Sequence, residues 1–259
     1  MENKDDSIII HTDHYEFIIK RKLRHTFDGK PLSWHYLIGS SDKPCLSLFF
    51  YTKDSDISRD LLKTANLNNL EALFSCIEND IPQETMEKYS FSREILDFIL
   101  TYLSKNFPYI ERLKLNDNSY IPCNRTYNDT LDLLTYSIAH YGLTWYEKYY
   151  KAYLALEYDT YRTQISKYSR KESKEEWGTF LKKYLNNSTD YTYNLIIENY
   201  NTFEKIYNES ETYPDFFIKL TKLIPRDKKC VFYKSWLESF ITSYIRISRE
   251  WIIDIKKKG

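Results

Sequence analysis

Residues 15–51 read YEFIIKRKLRHTFDGKPLSWHYLIGSSDKPCLSLFFY, and the fold class turns on how that stretch is punctuated. Runs rich in Ile, Phe, Tyr and Leu stand at Tyr15 to Leu23, Trp34 to Gly39 and Cys45 to Tyr51. Asp28-Gly29-Lys30-Pro31 and Ser40-Ser41-Asp42-Lys43-Pro44 separate them. β-Branched and aromatic residues suit a pleated, half-buried surface, while clusters of Gly, Pro, Asp and Ser reverse the chain. With Ser7 to Thr12 upstream, the runs predict an antiparallel meander. Pro44 fits it only at the start or edge of a strand, because proline donates no ladder hydrogen bond.

Downstream, Leu61, Leu62, Leu67, Leu70, Leu73 and Phe74 fit a helix near Ser58 to Thr64 followed by a strand from about Leu67 to Cys76. Ser92 is a candidate cap for a helix through Asn106, whose Ile95, Phe98, Ile99, Tyr102 and Leu103 fall on one stripe. Ile110 to Leu115 alternates as a strand and Asn116 to Ser119 turns. A further helix opened by Asn128 or Asp129 runs to His140, with Gly142 supplying a left-handed C-terminal residue. After Trp145 the spacing becomes helical, over Tyr146 to Leu156, Asp159 to Tyr168, Lys174 to Leu185, Tyr191 to Tyr207, Tyr213 to Leu223 and Cys230 to Ile247. The reading is an α+β chain: a mostly antiparallel sheet with flanking helices over residues 1–158, then an all-helical region over 159–259 whose last helices are free to pack back on the sheet.

Charge is balanced, 37 Lys and Arg against 37 Asp and Glu, so no long-range field gathers nucleic acid or acidic membrane. Aromatic residues make up 17% of the chain, with 25 Tyr against 5 Gly. That bias fits an AT-rich coding sequence or a Tyr-rich binding surface. No leader and no apolar run of about 18 residues is visible, which predicts a chain that neither leaves the cell nor enters a membrane. Cys45, Cys76, Cys123 and Cys230 lack CxxC spacing and read as buried thiols rather than metal ligands or a disulfide framework. Gly29, Gly39, Gly142, Gly178 and Gly259 are too far apart for a GxGxxG or Walker loop, which disfavours ordinary dinucleotide and P-loop sites.

Several residue types with chemistry remain. His11 and His14 lack the Cys or carboxylate partners a metal site needs, so no metal is expected. Asp117 and Ser119 follow a strand but also make an ordinary turn, and His140 suits a helix C-terminus. Lys20, Arg21, Lys22 and Arg24, close to Tyr and Phe, either contact phosphates beside stacked bases or form one solvated sheet face. Ala139-His140-Tyr141-Gly142-Leu143-Thr144-Trp145-Tyr146-Glu147-Lys148-Tyr149 packs Gly and large aromatics into a helix junction, where a structural hinge is the plain reading.

The order of strand, helix from Ser92, strand from Ile110, helix to His140 and then Tyr146-Glu147-Lys148 resembles the second half of GNAT-type N-acyltransferases. Through Leu67 to Cys76, Asp117-x-Ser119 and Gly142-x-Thr144-Trp145-Tyr146-Glu147-Lys148, over about residues 14–158 and with Trp145-Tyr146-Glu147-Lys148 the most specific part, it is also similar to a group of proteins from large (giant) DNA viruses. The GNAT resemblance implies acyl-CoA chemistry, with the cofactor's pyrophosphate on backbone N–H groups at the start of the helix near Ser92 and Tyr146 as general acid. Such a cradle uses glycine, since a Cβ blocks close approach, whereas Glu87-Lys88-Tyr89-Ser90-Phe91-Ser92 has none. Two expectations follow. In one the chain is a degenerate GNAT-like interaction or virion-associated module that needs no cofactor, located in the infected cell's cytoplasm or the virion. Its helices then meet a protein partner or a second copy. In the other it is an acetyl-CoA-dependent N-acetyltransferase in which the Ser90 and Ser92 hydroxyls replace glycine amides. Nucleic-acid binding through Lys20, Arg21, Lys22 and Arg24 is a minor third.

Overall fold

Four strands form the expected meander: β1 (Asp6–His11), β2 (Glu16–His25), β3 (Pro31–Gly39) and β4 (Pro44–Tyr51), each antiparallel to the next. In the computed structural model the described residues are 6–11, 16–39, 44–68, 91–122, 130–170, 175–185, 190–225, 228–246 and 248–255. The short helix α1 (Arg59–Leu62) leads into β5 (Thr64–Asn68), antiparallel to β4. The remainder of the predicted Leu67 to Cys76 strand lies outside the described residues.

Parallel strands cannot be joined by a hairpin and need a crossover. Here α2 (Phe91–Asn106) lies in the connection between β5 and β6 (Arg112–Asn116), which pair in parallel with Ala65 opposite Leu113 and Leu67 opposite Leu115. Ser92 is the second residue of α2 rather than its cap. A strand absent from the sequence reading, β7 (Glu250–Asp254), returns antiparallel to β6, placing Trp251 opposite Leu115 and Ile253 opposite Leu113. The first compact unit thus comprises residues 1–118 and 249–259, and the intervening residues 119–248 form a second.

Period-two alternation gives this sheet a core face, on which Ile19, Tyr36, Ile38, Leu48, Phe50 and Leu115 are buried. α2 covers it with Ile95, Leu96, Ile99 and Leu103, and Tyr102 meets Tyr36 edge-on at 5.7 Å while their hydroxyls lie 3.2 Å apart. Phe107, just past α2, packs edge-on against Phe50 at 4.5 Å.

The second unit opens with a ribbon, Tyr120–Pro122 against Thr130–Asp132. Its helices are α3 (Leu133–Tyr141), α4 (Trp145–Tyr150), α5 (Tyr158–Arg170), α6 (Trp177–Tyr184), α7 (Asp190–Glu198), α8 (Tyr200–Glu209) and α9 (Tyr213–Leu223). The last helix, α10, runs through Lys229–Phe232, a π-helical stretch Tyr233–Leu237 and Glu238–Tyr244. α3 starts later than expected: Asp132 caps it, its carboxylate accepting from Leu134 N at 3.0 Å. The helix expected over Tyr191 to Tyr207 breaks at Asn199, and the one expected to reach Leu156 stops at Tyr150.

Much of the aromatic excess is spent inside this unit. Trp177, Phe180, Tyr207, Tyr213, Phe216, Trp236 and Phe240 are all buried, in ring pairs such as Phe180–Tyr207 at 4.8 Å and Tyr213–Phe240 at 5.2 Å. Cys230, read as a buried thiol, is instead half-buried and disulfide-bonded.

Leu103 of α2 is fully buried. Leu103→Ala is expected to cost about 2–5 kcal/mol in urea unfolding, whereas Lys105→Ala, exposed two residues on, stays within about 0.5 kcal/mol.

Candidate functional site

Tyr146 sits in α4, whose start is fixed by a reciprocal cap: Thr144 N donates to Glu147 Oε2 at 3.0 Å and Glu147 N donates to Thr144 Oγ1 at 3.2 Å. Gly142 makes the preceding corner possible with φ +64°, and an added Cβ there would lie 2.6 Å from Ser169 Oγ. The buried Glu147 carboxylate also accepts a hydrogen bond from the Tyr161 hydroxyl, and Arg162 Nη1 lies 3.7 Å from Oε1. Burial, then the Glu147 charge, raise the Tyr161 pKa, so that phenol stays protonated and holds its donor role. Tyr146 itself is only 1% exposed, with its hydroxyl 3.4 Å from Ser119 Oγ. The junction that stood out in sequence is therefore a locked structural corner.

Near it, His140 stacks on Tyr136 at 4.2 Å. Its Nδ1 lies 3.0 Å from the Tyr136 carbonyl, which can only accept, so Nδ1 carries the proton and Nε2 accepts from the Tyr233 hydroxyl at 3.0 Å. Both ring nitrogens are thus engaged. Tyr233 is buried in the π-helical stretch of α10.

Of the proposed cofactor contacts, Ser92 is half-buried in the first turn of α2, and Ser90 lies outside the described residues. A GNAT-type fold would admit its cofactor at an open cleft between the strands near Leu70 and Leu113. Leu70 is outside the described residues, and at Leu113 the parallel β5–β6 ladder is intact. The side chains of His11 and His14 are likewise not described, and among the described residues no group of three or more His, Cys, Asp or Glu could hold a metal ion.

The basic segment gives a clearer geometry. The β2–β3 register sets Lys20 opposite Leu37, Lys22 opposite His35 and Arg24 opposite Ser33, so these three cations share the face away from α2. Arg21 is separated from them: it pairs with Tyr36 on the core face and its guanidinium lies 5.4 Å from the Trp34 ring centroid. On the outward face His35 stacks on Phe49 at 5.7 Å with 17° between rings, and Tyr51 meets Phe49 edge-on at 6.4 Å. Burial, then the Arg24 charge, hold the His35 pKa below its ordinary value. Lys22, Leu23, Arg24 and His25 line an open concavity of about 400 Å³.

The β2–β3 turn adds a residue that sequence reading passed over. Thr26 N donates to Lys30 O at 2.9 Å, Gly29 N donates to Thr26 O at 3.0 Å, and Gly29 adopts φ +82°. Asp28 accepts from the Thr26 hydroxyl and pairs with Lys30 at 3.2 Å. This ordered tip leaves Phe27 fully exposed. The signal was an aromatic residue inside a turn, where polar residues normally stand.

No family model, no curated protein and no solved structure matches the chain.

Burial, with Lys229 adding repulsion, also holds the His140 pKa below the ordinary 6.5. A depressed histidine binds fewer protons folded than unfolded, so its stability contribution is complete above 6.5 and is lost as pH falls toward the folded value. The melting temperature is therefore expected to drop between about pH 7.5 and 5.5, and His140→Gln to flatten that dependence by removing one of the two imidazoles, His35 and His140, held low among the described residues.

Proposed function

We propose that the chain is a non-catalytic interaction module of GNAT-like build. The observation that carries this reading is the enclosure of Tyr146: the residue in the general-acid position is 1% exposed, and its hydroxyl faces Ser119 rather than an open site. A general acid has to come within hydrogen-bond reach of the group it protonates. Support for the GNAT-like build comes from the crossover helix α2 between parallel strands, from α3, and from α4 with its Tyr146-Glu147-Lys148, after which Tyr153–Leu154 is a short strand.

Among the described residues no helix is long and apolar enough to cross a membrane. Of the two locations expected from the viral resemblance, the virion suits a disulfide-bonded Cys230 better than a reducing cytoplasm does.

The competing reading, an acetyl-CoA-dependent N-acetyltransferase, keeps one observation in its favour, the half-buried Ser92 hydroxyl at the start of a 16-residue helix. Calorimetric titration of the full chain with acetyl-CoA separates the two. No heat of binding at millimolar cofactor is expected. Micromolar binding, with acetyl transfer that Tyr146→Phe abolishes while the affinity is unchanged, would establish the enzyme instead.

A further inference from the structure

We infer that the outward face of the β2–β3–β4 meander, together with the Phe27 tip, is a binding site for single-stranded nucleic acid. This names a partner for the interaction module proposed above and rests on that reading only in treating the sheet as a binding platform.

Two kinds of group make the site. The first is a row of cations: Lys20, Lys22 and Arg24 recur at every second residue of one strand, which spaces them by about 6.7 Å along it. Lys20 and Arg24 are exposed. Three cations at successive outward positions concentrate positive charge along this row although the whole chain is neutral. The second kind is aromatic: the His35–Phe49 stack with Tyr51 beside it on the same face, and Phe27 at the hairpin end of the row. A single strand offers both complements at once, phosphates for the cations and unpaired bases with a π-face for the rings.

Other polyanions match only part of this. An acidic peptide satisfies the lysines and arginine but gives Phe27 and the His35–Phe49 pair nothing to stack on. An anionic bilayer offers Phe27 an apolar refuge but gives the His35–Phe49 stack no flat ring to lie against. A duplex hides its base faces.

The test is fluorescence anisotropy of the full chain with labelled 12-nucleotide oligo-dT and oligo-U. A duplex of the same length and a labelled poly-glutamate peptide are run in parallel, with co-sedimentation on phosphatidylserine vesicles. The single strands are expected to bind most tightly. Contacts to three phosphates predict a loss of about twentyfold in affinity between 50 and 200 mM salt, from a slope of about −0.7 per phosphate on a log–log plot. Phe27→Ala, which removes a fully exposed ring and leaves the fold intact, should weaken binding by about 5- to 100-fold without changing that slope. Replacing Lys20, Lys22 and Arg24 together by Ala should flatten the slope. The inference is overturned by absence of oligonucleotide binding at 50 mM salt, by equal or tighter binding of the peptide, duplex or vesicles, or by an unchanged affinity for Phe27→Ala. None of these outcomes depends on acetyl-CoA, so the inference and the non-catalytic reading can fail separately.

Discussion

The cross-strand register of β2 with β3 is the constraint from which the rest of the first unit follows. Side chains alternate with a period of two, so setting Ile19 against Ile38 and Leu23 against Trp34 decides every other position of both strands. A slip by one residue would bring Lys20, Lys22 and Arg24 under α2 and expel Ile19. Burying three ammonium or guanidinium groups without partners costs far more than any hydrophobic gain could offset. The turn at Thr26 to Lys30 reinforces the same register, because its hydrogen bonds and the positive φ of Gly29 allow one hairpin geometry. Core formation and the outward array of cations are thus one decision made twice.

The second unit solves a different problem with the same composition. Its helices are short and rich in Tyr, Lys and Glu, so their stability rests on packing rather than propensity. Large rings clustered between α6, α8, α9 and α10 supply that packing. Polar tips among them find partners: Tyr168 donates to the Ala139 carbonyl, Tyr207 to the Glu175 carbonyl and Tyr161 to Glu147. Tyrosine therefore serves here as a core residue with a directional hydrogen bond, more than as a surface for partners.

What sequence made legible tracks how local the deciding physics is. The meander, α1, α2, α9 and the left-handed cap at Gly142 all depend on neighbouring residues, and all stand where spacing placed them. β7 was missed because its partners, Leu113 and Leu115, lie far away in the chain, although Trp251, Ile253 and Ile255 alternate correctly for a strand. Asn199 breaks a helix without Gly or Pro to announce it, and the π-helical stretch around Tyr233 has no sequence signature at all. At the candidate site, the basic residues were visible but their division was not: only the register shows that Arg21 leaves the other three and joins Trp34 and Tyr36. His35 and Phe49 became part of the site for the same reason, through pairing rather than proximity in sequence.

An aspartate scan along β2 probes that register directly, through the melting temperatures of Ile19→Asp, Lys20→Asp, Lys22→Asp and Leu23→Asp. The account predicts a two-residue alternation, with Ile19→Asp and Leu23→Asp strongly destabilised and the two lysine positions within about 0.5 kcal/mol of the parent chain. Equal losses along the strand, or the larger losses at Lys20 and Lys22, would contradict it.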